Sequence, residues 1–100
     1  MDNQAVYVIA RWKVKAGTLP TVLEALQQLA EQSRAEEGNQ LYRAHQLAEN
    51  PDVILLYEIY RDEQAAQAHR ESAHFQQFAL GTIVPLLEER EVMRGRLLDV

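Results

Sequence analysis

The stretch that decides the fold spans residues 53–78 and reads VILLYEIYRDEQAAQAHRESAHFQQF. Its first part, Val53–Tyr60, is apolar or aromatic except for one carboxylate, Glu58. A short apolar run rich in β-branched and aromatic residues predicts a strand, and its lack of alternation indicates that both faces are to be buried. The polar, alanine-rich remainder predicts a helix that opens at an N-cap residue, Asp62.

The remaining elements follow on either side of this stretch. Alternating apolar side chains predict a first strand, and apolar residues at steps of three and four predict an amphipathic helix capped by Thr18 and ending near Gly38. A Glu-Asn-Pro-Asp turn at residues 49–52 makes the next two strands an antiparallel hairpin. Ser72 can cap a second helical piece before the last strand. The predicted ranges are Ala5–Val14, Thr18–Gly38, Leu41–Leu47, Val53–Tyr60, Asp62–Arg70, Ala73–Val84 and Glu91–Val100.

The resulting order is strand, helix, strand, strand, helix, strand. With right-handed crossovers, this order predicts an α+β, ferredoxin-like βαββαβ fold, with an antiparallel sheet and both helices on one face. We expect residues 1–100 to form a single domain. The second face of the sheet is then bare although Val53–Tyr60 calls for burial on both sides. A second copy of the chain, packed sheet to sheet, is the simplest cover and predicts a homodimer.

Composition limits the possible functions. The net charge is −5 with acidic and basic residues mixed throughout, which disfavours nucleic-acid binding. No apolar run approaches the roughly 20 residues of a membrane span, and the N-terminus lacks a signal-peptide pattern, so we expect no membrane association and a cytoplasmic location. The chain has no cysteine and no glycine-rich phosphate loop. We therefore predict no cofactor.

Glu58 is the first candidate functional residue, because a carboxylate in an apolar strand is costly to bury unless it is hydrogen-bonded, paired or neutral. The following helix must fold back against the sheet, and His69 shares its helical face with three small alanines. We therefore expect a pair between Glu58 and His69. Three interpretations stay open: a structural polar pair, a histidine base tuned by the carboxylate in a pocket, or a solvent-facing glutamate at a strand end.

The other two histidines carry weaker signals. His74 lies five positions after His69, about 140° around an ideal helix, so the two are predicted to face different directions. No histidines have the i,i+4 spacing of helical zinc motifs and no carboxylate is expected to complete a ligand set, so we predict no metal site. His74 is expected at the surface or at a pocket rim. His45 is assigned either to the dimer interface or to the pocket.

Two segments stand out as longer patterns. They are AGTLPTVLEALQQLAEQSRAEEGNQLYRAHQ, residues 16–46, and LLYEIYRDEQAAQAHRESAHFQQF, residues 55–78. Together they resemble the antibiotic biosynthesis monooxygenase family of small dimeric α+β-barrel proteins. The resemblance covers nearly the whole chain and implies the fold proposed above, with dimerisation through the sheets. Family members include cofactor-independent oxygenases of quinols and polyketide anthrones, haem-degrading enzymes, an isomerase of a phosphorylated signalling sugar, and many proteins of unknown role.

The oxygenases of this family suggest a specific chemistry, in which a base deprotonates an electron-rich phenol and the resulting anion reduces O₂ directly. The resemblance implies that His69 and Glu58 are catalytic and that the substrate is a quinol-like or polycyclic phenolic small molecule. The implied substrate-binding residues are Trp12, Tyr42, His74, Phe75 and Phe78, although the aromatic ones are equally typical of core packing. The alternative function is a non-catalytic, small-molecule-binding or stress-related dimer, and the third is a sugar-phosphate isomerase.

Overall fold

The structure is a computed structural model that describes residues 4–100. One antiparallel sheet has the strand order β2-β3-β1-β4, so β3 lies between β1 and β2, and β4 pairs with the other edge of β1. This arrangement confirms the predicted ferredoxin-like α+β fold. The elements are β1 (Val6–Val14), α1 (Leu19–Arg34), β2 (Asn39–Gln46), β3 (Val53–Tyr60), α2 (Glu63–Glu71), a π-helix (Phe75–Ile83), a 3₁₀ turn (Val84–Leu86) and β4 (Leu87–Gly95).

The helices cover one face of the sheet, as predicted. Alternate residues of the two central strands point into this layer, and they include Ala10 and Trp12 on β1 and Ile54 and Leu56 on β3. The apolar stripe of α1 packs onto them in a single core cluster. Burial of one stripe per helix and one face per strand is the driving force of this layer. Within residues 4–100, no helix is long and apolar enough to cross a membrane.

The opposite face of the sheet has no covering element within residues 4–100. Ile9, Tyr57 and Met93 lie on it and are 42%, 37% and 46% exposed. Leu55 and Ile59 lie on either side of Tyr57 along β3 and are half-buried. The mismatch that the sequence indicated, an apolar strand with one uncovered side, is therefore present in the single chain.

The predicted start of the second helical region is confirmed at its cap. The carboxylate of Asp62 accepts a hydrogen bond from the backbone N–H of Ala65 at 2.8 Å. The predicted end of α1 is four residues too late, because the helix stops at Arg34. Gly38 is needed for a different reason: a Cβ at this position would lie 2.3 Å from Cβ of Ala65. The glycine allows the loop before β2 to pass directly against α2.

The last two predicted elements are shifted. The second helical piece is a π-helix, and Pro85 lies in a 3₁₀ turn after it, so β4 begins at Leu87 rather than at Glu91. Leu87 pairs at once with Val14, and Gly95 pairs with Tyr7, close to the start of β1. Residues 96–100 lie outside the strand. The predicted last strand therefore begins four residues too late and ends five residues too late.

Substituting Gly38 by alanine should destabilise the protein, because the new methyl group and Ala65 cannot both occupy their present positions. Overpacking of this kind typically costs about 1–3 kcal/mol. Urea denaturation followed by circular dichroism gives the free energy of unfolding. Gly95→Ala is the control, since its Cβ meets no atom within 4 Å. Equal stability of the two variants would show that the close approach of Gly38 to α2 is not a constraint.

Candidate active site

A cavity of about 90 Å³ lies between the sheet and the second helical region. Its walls are largely apolar and aromatic, and its inner end holds a buried carboxylate and a buried imidazole. Such a combination is typical of a small-molecule site. The lining residues are Val8, Ala10, Trp12, Leu29, Tyr42, Glu58, Tyr60, Ala66, His69, Arg70, Phe75, Arg90, Val92 and Arg94.

A second, larger depression of about 850 Å³ opens widely to solvent beside the start of α2. Its lining is mostly polar, and the buried groups Glu58 and His69 are not part of it. The enclosed cavity is therefore the better candidate for chemistry, because water exclusion strengthens electrostatic interactions within it.

His69 is held in place by Glu36, a residue that the sequence analysis did not single out. The Nδ1 atom of His69 lies 2.8 Å from Oε2 of Glu36, and Nε2 of His74 lies 2.5 Å from the same oxygen. Both distances are short enough for hydrogen bonds. One carboxylate therefore links the loop after α1 to α2 and to the residue that precedes the π-helix. The only sequence signal was its place within the segment that resembles the family.

The prediction that His69 and His74 face different directions is wrong, because the helix is interrupted between them. Ser72 has an extended backbone with ψ of 154°, which ends α2. Its Oγ donates to the carbonyl of His69 at 2.7 Å and accepts from the N–H of Phe75 at 3.2 Å. The serine thus caps both helical segments, as predicted for its N-cap role, and turns His74 back toward Glu36.

The predicted pair between Glu58 and His69 is present as an electrostatic contact and not as a hydrogen bond. Oε1 of Glu58 is 3.9 Å from Nε2 of His69, which permits electrostatic attraction but is too long for a hydrogen bond. Glu58 instead accepts a 2.6 Å hydrogen bond from the hydroxyl of Tyr60. The carboxylate points to the helix side and is only 7% exposed, so the strand-end alternative is wrong.

Burial dominates the electrostatics of the cavity. It raises the pKa of Glu58, an effect that the hydrogen bond from Tyr60 and the nearby His69 oppose only in part. Burial likewise raises the pKa of Tyr42 and of Tyr60, and the charge of Glu58 adds to both shifts. The cavity therefore favours neutral side chains at its inner end.

The structure separates the predicted site residues into two groups. Glu58, His69, Trp12, Tyr42 and Phe75 all line the cavity. The ring of His69 contacts the rings of Tyr60 and Phe75, with centroids 5.0 and 5.1 Å apart. The aromatic walls therefore fix the imidazole from two sides.

Phe78 and the two remaining histidines do not line the cavity. Phe78 packs against the main core cluster instead, as its i,i+3 spacing from Phe75 also suggested. His74 binds Glu36 behind the cavity. His45 is exposed on edge strand β2 opposite Leu55, which places it on the uncovered face of the sheet and away from the pocket.

Three arginines form the mouth of the cavity, and the sequence analysis did not place them there. Arg70 and Arg94 share the carboxylate of Glu63, at 3.4 and 2.6 Å. The side chain of Arg90 makes no hydrogen bond or ion pair with any residue in the range 4–100. The mouth therefore has an excess of positive charge, which favours anionic groups of a ligand.

Comparison with known proteins agrees with this architecture. Residues 5–79 match the sequence profile of the family described as Antibiotic biosynthesis monooxygenase. The chain is 38% identical over 66 residues to YcnE of Bacillus subtilis (strain 168), which is provisionally named a monooxygenase; the match covers 66% of this chain and 70% of YcnE.

Solved structures show the same fold. A Nitrosomonas europaea protein, provisionally described as an antibiotic biosynthesis monooxygenase, has a TM-score of 0.90 and 28% identity, covering 99% of this chain and 95% of its own. A conserved protein from Methanosarcina mazei Go1 has a TM-score of 0.90 and 27% identity, covering 96% and 95%. By its fold and by its sequence, the chain belongs to the antibiotic biosynthesis monooxygenase family.

Proposed function

We propose that this protein is a cofactor-independent monooxygenase that oxidises a quinol-like phenol with O₂. The observation that carries the proposal is the position of His69, a buried imidazole that lines an apolar cavity with one nitrogen already occupied by Glu36. A hydrogen bond from Nδ1–H to Glu36 selects the tautomer whose Nε2 has a free lone pair. That nitrogen is the base for the phenolic proton.

The surroundings of the base favour proton transfer from a phenol. Glu36 stabilises the imidazolium that forms, as the orienting carboxylate of a catalytic triad does. Glu58, with its raised pKa, is more easily neutral and then does not repel the phenolate. The arginines at the mouth attract the same negative charge.

Trp12 supplies a further contact for the substrate. It lines the cavity, and its buried Nε1 has no hydrogen-bond partner within residues 4–100. Leaving a buried donor unpaired typically costs about 1–3 kcal/mol. A substrate oxygen that accepts from this N–H would recover that free energy, so we assign Trp12 to substrate binding.

The reaction needs no external reductant. The phenolate donates electrons to O₂, one oxygen atom enters the ring carbon that carried hydrogen, and the other leaves as water. The phenol becomes a quinone, and a quinol becomes a hydroxyquinone. The substrate therefore provides all four electrons, and the protein provides the base, the dry cavity and the cationic mouth.

The size of the cavity limits the substrate. Typical sites for drug-sized ligands measure about 300–1,000 Å³, whereas this one measures about 90 Å³. It encloses the hydroxyl-bearing edge of one ring, and the rest of the ligand lies in the mouth beside Arg90 and Val92. Small quinols are therefore preferred over polycyclic phenols, unless the side chains at the mouth move.

The arginines also favour a second candidate function, the isomerisation of a phosphorylated small molecule. No basic cluster could be placed near the pocket from the sequence, and the mouth contains one in Arg70, Arg90 and Arg94. Two of these side chains are partly neutralised by Glu63. This leaves Arg90 as the arginine most available to a phosphate, and we rank the candidate second for that reason.

We further propose that the protein functions as a homodimer joined through the uncovered face of the sheet. Exposed Ile9, Tyr57 and Met93 form a contiguous apolar surface with Leu55 and Ile59, and the sheets of two chains would cover one another. Loss of the second chain would leave this surface in water.

Oxygen uptake with a panel of hydroquinones and simple phenols tests the enzymatic proposal, with anaerobic samples as the blank. His69→Ala should reduce turnover by about 10²–10⁴, the usual cost of losing a general base. Glu36→Gln should reduce it less, because the base itself is kept, and exposed Glu37→Gln is the matched control. A folded His69→Ala protein with unchanged specific activity would contradict the assignment. Ligand binding without oxygen uptake would favour the non-catalytic alternative.

Glu58 should make folding stability depend on pH. Its native pKa lies above the ordinary value of 4.5, so the folded state holds the proton more tightly than the unfolded state does. Its contribution to stability is present at low pH and is lost as the pH rises from about 4.5 through the native pKa. Glu58→Gln has no proton to lose at this position. As the pH rises across this window, the unfolding free energy of the variant should therefore increase relative to that of the unmodified protein. Urea denaturation at several pH values measures the difference, and parallel profiles would refute the raised pKa.

Leu55→Asp should disrupt the dimer, because it places a charge on the proposed apolar interface next to Tyr57. Sedimentation velocity at micromolar concentration should show dimer for the unmodified protein and monomer or unfolded chain for the variant. The matched control is Leu23→Asp, which alters an exposed leucine on α1, far from the uncovered sheet face. A stable monomer of the unmodified protein would overturn the proposal.

A further inference from the structure

We propose that Glu36, His69 and His74 form a binding site for a divalent transition-metal ion, and that the preferred ion is Zn²⁺. The three side chains each offer one ligand atom, and these atoms lie within 4.8 Å of one another. The proposal goes beyond the monooxygenase activity and does not depend on it. The expectation of a metal-free chain rested on the absence of histidines at i,i+4 spacing and of a nearby carboxylate. The helix break at Ser72 brings His69 and His74 together despite their spacing, and Glu36 supplies the carboxylate.

The chemistry of the donors favours zinc. Two imidazoles and one carboxylate are a ligand set of mononuclear zinc sites, in which water takes the fourth position. Hard ions such as Mg²⁺ prefer oxygen ligands and retain several waters, so this set discriminates against them. The side chains of Glu36, His69 and His74 are only 17%, 5% and 14% exposed. Their burial excludes most competing water.

The geometry requires only small movements. Zinc bonds of about 2.0–2.1 Å in a tetrahedron separate neighbouring ligand atoms by roughly 3.3 Å. The nitrogens of His69 and His74 now lie 2.8 and 2.5 Å from the same oxygen of Glu36. Each nitrogen–oxygen separation must therefore increase by less than about 1 Å, and the two nitrogens, which lie within 4.8 Å of each other, must approach by up to about 1.5 Å.

The framework allows one ligand to move while another stays fixed. His69 is clamped between Tyr60 and Phe75. His74 lies in the break between α2 and the π-helix, where the backbone has left the regular helix at Ser72. Glu36 lies in the loop that follows α1. The fixed imidazole defines the site, and the two adjustable ligands close around the ion.

The second nitrogen of His69 also fits a metal site. When Nδ1 binds a metal, Nε2 carries the proton and is oriented by an outer carboxylate. Oε1 of Glu58 is 3.9 Å from that nitrogen, within reach after a small rotation. An Nε2–H group has no lone pair, so zinc on Nδ1 removes the base that phenol oxidation needs. Zinc and phenol oxidation therefore exclude each other at His69.

Isothermal titration calorimetry with ZnCl₂ tests the site on the untagged, metal-stripped protein. We expect one Zn²⁺ per chain and no binding of Mg²⁺. Loss of partners that merely orient metal ligands weakens affinity by about 10–100-fold, so loss of a ligand in His74→Gln or Glu36→Gln should weaken it at least that much. Exposed His45→Gln and Glu37→Gln should leave it unchanged.

Co²⁺ binding to the unmodified protein gives a readout that needs no variant. Strong visible absorption, typical of four-coordinate cobalt with imidazole ligands, should appear and should saturate at one ion per chain. Zinc should displace it. Absence of both the zinc heat and the cobalt spectrum would overturn the proposal, as would affinity that falls in His45→Gln but not in His74→Gln. If no phenol is oxidised under any condition, the monooxygenase proposal fails, and the titrations still decide the metal site.

Discussion

The carboxylate of Glu36 holds together three parts of the chain that are distant in sequence. Its hydrogen bonds to His69 and His74 connect the two helical segments on either side of the break at Ser72. This break sets the direction of the π-helix against the sheet. The wall of the cavity that contains Phe75 depends on that direction. A single carboxylate oxygen of half-buried Glu36 that accepts from two imidazoles is therefore the interaction on which the shape of the site depends.

The second buried carboxylate illustrates how an apolar strand tolerates a charge. Glu58 accepts a hydrogen bond from Tyr60, two residues along the same face of β3. Its raised pKa makes the neutral carboxyl group more accessible, and a neutral group costs less free energy to bury than a charged one. The two glutamates near His69 thus differ in environment. Glu36 accepts hydrogen bonds from two imidazoles, whereas Glu58 accepts one from the phenol of Tyr60 and lies 3.9 Å from the imidazole of His69. Two carboxylates in unlike surroundings are a common way to divide chemical roles.

Most of the fold could be predicted from the sequence because it depends on local periodicity. Val53–Tyr60 was predicted with its observed boundaries, and the Asp62 cap was identified from residue type alone. The last strand was shifted because its limits depend on its pairing with β1, which is a tertiary constraint. The site could be predicted only in part: His69 and Glu58 do line one cavity, but their hydrogen-bond partners come from a loop and from the break in a helix. An ideal helical step of about 100° per residue cannot reveal such a break.

In the reaction proposed above, the position of His69 between the two carboxylates also determines what happens after it takes a proton. The imidazolium would face Glu36 at 2.8 Å from one nitrogen and Glu58 at 3.9 Å from the other. The first contact is a hydrogen bond that is already formed, so stabilising the new charge needs no reorganisation of that side. The second becomes a hydrogen bond only if the ring or the carboxylate shifts. Release of the proton toward Glu58 and Tyr60 would therefore require the ring or the carboxylate to move by less than about 1 Å. Before that movement, the proposed base, Nε2 of His69, stays oriented toward the cavity.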